Sequence, residues 1–185
     1  MKKQTQFHSI LLAGFTLIGV PFAPPSASAD QEGTKPYKAI ETAVDRDDTL
    51  GKDYWNDPFL VAARETASGL YLYDSEVWSE GRNNVGGLYT SVAHQILYLT
   101  SPTTADFYLW VESTSANGDM VWAAVVGEVD FVAGTVSGTW ETYAEDDPTS
   151  DITGSGEFEG VNSGDRLNVS VITGRIATVG SGKRR

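Results

Sequence analysis

From Leu70 onward, apolar and polar residues alternate with a period of two, interrupted at short intervals by turn residues. Leu70 to Trp78 sets Leu70, Leu72 and Asp74 against Tyr71, Tyr73 and Ser75, the spacing of an extended strand whose successive side chains point to opposite faces. Ala93 to Thr100 opposes His94, Ile96 and Tyr98 to Gln95, Leu97 and Leu99 before Ser101-Pro102 stops it. Asp106 to Ser113 opposes Phe107, Leu109 and Val111 to Tyr108, Trp110 and Glu112. Met120 to Phe131 then places Trp122, Ala124 and Glu128 on one side and Val121, Val125 and Val129 on the other. Gly134 to Tyr143 collects Val136, Gly138, Trp140 and Thr142 on one face, and Leu167 to Ile172 is the last clear strand. Asn117-Gly118 reads as a two-residue hairpin turn, because both residues tolerate positive φ.

Phe59 to Ala63 fits a first strand or one helical turn equally, and no ten-residue stretch prefers a helix. Roughly eight strands at regular spacing predict an all-β fold, a single antiparallel barrel, with a β-sandwich as the alternative. A barrel leaves no open edge. Apolar bulk on both faces of 106–113 places a core on one side and a partly polar cavity or a second packed layer on the other.

The N-terminal segment has a different texture. Met1-Lys2-Lys3, the apolar Ile10 to Val20 and the small residues Ala27-Ser28-Ala29 read as a signal peptide over 1–29, too short in its apolar run to span a bilayer. Residues 30–57 are polar, broken by Gly33, Pro36 and Gly51, and are expected to form a loosely held leader. Residues 58–178 hold the barrel and 179–185 a basic tail. The expected location is secreted or periplasmic, with no membrane span. The acidic group Asp45, Asp47 and Asp48 departs from a calcium loop, with Leu50 and Asn56 where glycine and the last ligand belong.

Composition narrows the chemistry. There is no cysteine, so neither disulfides nor thiolate metal sites contribute. A net charge of −12 repels nucleic acid, whose affinity comes from neutralised phosphates. His94 is the one histidine beyond the signal segment, which leaves a Ser-His-Asp device or a zinc site short of ligands. No metal or cofactor is expected. Glu112 and Glu128 are the catalytic candidates, since each shares a strand face with a tryptophan, Trp110 and Trp122 respectively. A turn at Asn117-Gly118 brings Glu112 near Val125. A carboxylate against an aromatic wall has a raised pKa and can act as general acid or base; the alternative is that both are outward and solvated. Tyr98, Trp110, Trp122 and Trp140 are the candidate ligand-binding wall, or else plain core. Trp55, Trp78 and Tyr54, near turns, are candidates for stacking on sugars.

Ala116-Asn117-Gly118-Asp119, Val126-Gly-Glu-Val-Asp-Phe131, Gly134-Thr-Val-Ser-Gly-Thr139 and Ile152 to Gly160 together resemble small secreted bacterial barrels related in outline to the allene oxide cyclase and dirigent barrels. That resemblance implies eight antiparallel strands, a homo-oligomer and an aromatic-lined mouth able to hold a small apolar molecule. It carries over no catalytic motif. The expected role is therefore an exported barrel binding a small apolar or aromatic ligand. The alternatives are a cofactor-independent cyclase or isomerase using cavity carboxylates, and a structural or oligomerising surface protein.

Overall fold

The computed structural model describes residues 34–50, 55–163 and 167–177; the expected signal peptide and basic tail lie outside them, as do Tyr54 and most of the connection before it. Eight strands follow in chain order: β1 (Thr34–Leu50), β2 (Leu70–Asn83), β3 (Gly87–Leu99), β4 (Thr104–Ser115), β5 (Met120–Asp130), β6 (Thr135–Tyr143), β7 (Ile152–Asn162) and β8 (Leu167–Ala177). Each pairs antiparallel with the next, and β8 returns to β1 from Thr34↔Ala177 to Val44↔Leu167. The sheet is a closed barrel, and the sandwich alternative falls away.

The chain enters the barrel earlier than expected. Thr34–Leu50, read as part of a leader, is the strand that closes the sheet. Its alternation is hidden because its exposed face carries Ile40, 58 % accessible, while its inward positions include Tyr37, Glu41 and Asp45. Polarity and direction are inverted relative to an ordinary surface strand. Phe59 to Ala63 resolves as helix, within α1 (Pro58–Thr66). Pro58 opens it, where the missing N–H costs nothing.

The Asn117-Gly118 hairpin is also longer than expected. Gly118 takes a positive φ, +85°, and Ser115 N–H to Asp119 O (2.9 Å) with Gly118 N–H to Ser115 O (2.9 Å) closes a loop over 116–118. This is the turn-plus-left-handed-residue form that needs one glycine rather than two permissive positions. Glu112 faces Trp122 rather than Val125; the longer loop moves it one residue from Ala123, which a two-residue turn at 117–118 would set opposite it.

Following the hydrogen-bonded register round the barrel from Tyr37 through Gly174, Gly156, Trp140, Val125, Leu109, Gln95 and Ser75 returns to β1 beyond Asp47, not to Tyr37. That stagger tilts the strands and widens the lumen enough for a small ligand. Two apolar clusters result. One lies within the barrel, around Val77, Leu97, Phe107, Leu109, Val129 and Val136. The other lies outside it, where α1 lays Leu60 and Ala63 over Ile96, Tyr98, Trp110 and Ala124. The two faces of β4 thus serve the lumen on one side and the helix-covered cluster on the other.

Candidate functional site

The lumen is a cavity of about 640 Å³, within the range of sites that enclose a small molecule. Its wall is apolar in the middle, with Ala43, Val77, Ala93, Leu97, Leu109 and Val125. It reaches the end of the barrel formed by the β2–β3 and β4–β5 connections, where Val85, Gly86, Asn117 and Asp119 border it. Part of the wall is built from rings laid over a glycine. A Cβ on Gly127 would stand 2.5 Å from the Phe107 ring and 2.8 Å from that of Phe158, so these aromatics cross the lumen only because no side chain is there.

The polar part of the cavity centres on Glu41 of β1. Its carboxyl is set deep in the protein and keeps one side open to the lumen. The Tyr89 hydroxyl donates to its Oε2 at 2.8 Å, and the Ser79 hydroxyl supports it from β2. Burial pushes the carboxyl above its usual range despite those two bonds. Burial, reinforced by the neighbouring Glu41 charge, pushes Tyr37 up to about 12 and raises Tyr89 as well. Both phenols are therefore donors throughout the physiological range.

Local sequence fixes this geometry. Glu41 pairs with Gly81, and Gly81 with Tyr89; a Cβ at Gly81 would lie 2.5 Å from the Tyr89 ring and hydroxyl. The glycine is the seat that lets the phenol reach across β2. Gly174 does the same for Trp140, whose ring a Cβ would meet at 2.6 Å. The indole then donates to Thr173 O at 3.2 Å and meets Tyr37 edge-on, centroids 5.3 Å apart. One turn of the pleat further on, Tyr73 donates to Asp45 Oδ2 at 3.3 Å.

Of the four rings expected to share one wall, only Trp140 faces the lumen. Tyr98, Trp110 and Trp122 belong to the outer cluster beneath α1. The division follows from register. Trp110 pairs with Ala124, which keeps Trp122 on its face, whereas Val125 pairs with Trp140 and so turns Trp140 to the opposite one. Glu112 and Glu128 are exposed on the outer surface, opposite Trp122 and Asp106 respectively. Neither reaches the cavity. Asp106, beside Glu128, has its carboxyl raised by burial and then by that charge.

The outer layer holds its own polar network. Arg64 of α1 pairs with Asp74 at 2.7 Å, both buried, and Tyr71 donates to the other oxygen of Asp74 at 3.0 Å. Trp55 stacks on His94 with centroids 3.7 Å apart and donates to Ser75 O at 3.0 Å. His94 in turn bonds Asp57 at 2.8 Å through Nδ1. Trp55 is thus committed to packing. Trp78 is 42 % accessible and lies under the Arg46 guanidinium, 4.6 Å from its centroid.

Glu41, Tyr37, Tyr89 and Asp45 escaped sequence reading because they fall in, or pair with, the segment taken for a leader. The available signal was the run Tyr37, Ala39, Glu41, Ala43, Asp45, an alternation of small and polar residues on one face. Among the described residues, no group of three or more His, Cys, Asp or Glu side chains could hold a metal ion.

Fold and site together define a closed eight-stranded up-and-down β-barrel with a partly aromatic-lined lumen and a buried carboxyl–phenol pair. Comparison with protein-family models, with curated proteins and with solved structures finds no match.

Proposed function

We propose that this chain is an exported barrel that encloses a small molecule with an apolar or aromatic body and one polar end. The carrying observation is the 640 Å³ lumen, apolar along its wall and polar at Glu41, Tyr37 and Tyr89. A stability-driven core would be filled, since interiors pack to crystal density. The signal-like segment over 1–29 supports export, and the family resemblance to the allene oxide cyclase and dirigent barrels points the same way.

The test is native mass spectrometry of the protein purified from its own cells, beside the variant Ala123→Phe, which places a ring in the lumen. A retained molecule in the natural chain and its loss from a folded Ala123→Phe variant support the reading. Protein of bare mass, unable to take up any apolar probe, refutes it.

A second reading, cofactor-independent isomerisation or cyclisation, is favoured by one observation. Glu41 is a carboxyl inside a cavity whose pKa burial raises, and such a group can serve in general acid–base proton transfer. In that case Glu41, not Glu112 or Glu128, is the general acid or base.

A further inference from the structure

The lumen says more about the polar end of its ligand than that it is polar. The groups that meet the Glu41 carboxyl are neutral: Tyr89 and Ser79 bond it, and Tyr37, itself bonded by the Asn83 amide, stands beside it. Among the described residues, no basic side chain pairs with it. Lys35, the basic residue bordering the same cavity, lies six residues along β1, roughly 20 Å away at strand rise. A carboxylate offers about four acceptor positions, and the two hydroxyls leave the lumen-facing ones to whatever occupies the cavity. A hydrocarbon ligand would leave them bare, which is costly for a buried polar group.

The surroundings favour a positive partner. The rings of Tyr37, Tyr89 and Trp140 border the lumen on the carboxyl's side, Tyr37 meeting Trp140 edge-on, and aromatic rings attract ammonium groups. Asp45 adds a second carboxyl on the same face of β1, and Asp119 stands at the mouth. The chain's net charge of −12 raises the local concentration of cations at such an opening. On the binding reading above, we infer that the occupant is an amine: a protonated nitrogen pairs with Glu41, and an aromatic or aliphatic body fills the lumen beyond it.

The experiment is calorimetric titration of the full chain with a matched set: tryptamine, its uncharged analogue indole-3-ethanol, and indole-3-acetate. Tryptamine is expected to bind about tenfold to a hundredfold more tightly than the alcohol, the range of one charge-assisted hydrogen bond. Indole-3-acetate is expected not to bind. Glu41→Gln, which keeps an acceptor for Tyr89, should bring tryptamine down to about the alcohol's affinity. Equal binding of amine and alcohol by the natural chain would overturn the amine assignment while leaving the cavity reading intact, and so would an undiminished preference in a folded Glu41→Gln variant. Failure of all three compounds and of neutral apolar probes would overturn both.

Discussion

The two faces of β3, β4 and β5 are built from the same residue types to opposite ends. On the outside, Tyr98 and Trp110 are covered by Leu60 and Ala63, and the helix is fastened by the buried Arg64–Asp74 pair. On the inside, rings laid over glycines border an unfilled lumen around Glu41. The outer layer pairs its fully buried carboxylate, Asp74, with an arginine; the inner layer leaves Glu41 with hydroxyls. The difference shows that aromatic content does not distinguish core from cavity. What distinguishes them is whether the charges are paired and the volume filled.

The contrast is broken most severely at the helix. Arg64→Ala leaves Asp74 buried without its cation, and a loss of about 3 to 5 kcal/mol is expected in chemical denaturation, with ligand uptake by any remaining folded protein unchanged. Next comes Gly81→Ala, whose Cβ meets the Tyr89 ring and, at 2.8 Å, the Ile40 carbonyl. Overpacking of this kind costs about 1 to 3 kcal/mol, and the displaced phenol should also weaken amine binding.

Glu41→Gln should act in the other direction. Burial holds the Glu41 carboxyl above its ordinary value of 4.5, so above that pH the folded chain keeps a proton that the unfolded chain has lost. Stability from this site then falls as pH rises from 4.5 towards the raised value. Tyr37 and Tyr89, which face it, stay protonated over that window. The glutamine variant should therefore melt higher than the natural chain at pH 7, with the gap closing near pH 4; a gap independent of pH would contradict the placement of Glu41. The smallest effects belong to the exposed Glu112→Gln and Glu128→Gln, each expected within about 0.5 kcal/mol of the natural chain and without influence on binding.

Strand alternation and turn residues made the class of fold and most of β2 to β8 legible in the sequence. Two things were not. β1 was obscured because this lumen-lining strand points Glu41 and Asp45 inward and Ile40 outward, reversing the pattern that marks an amphipathic strand. The second was parity. The connection 115–119 between Thr114 and its partner Met120 holds an odd number of residues, and 131–134 between Asp130 and Thr135 an even number. The even connection flips the inward set from odd to even positions, since a shift of one residue exchanges the two faces of a strand. Trp110 and Trp122 thus part company with Trp140, although all three sit in similar apolar runs.

The seam between β1 and β8 joins residues at opposite ends of the described chain, Thr34 beside Ala177. Every other seam joins neighbours in sequence. Loop closure is slowest for the most distant partners, so the lumen has no floor to its wall until the final strand has been delivered. A partly synthesised polypeptide is an open sheet with a missing stave, and an enclosed chamber comes into being only once the whole of that last segment has been released.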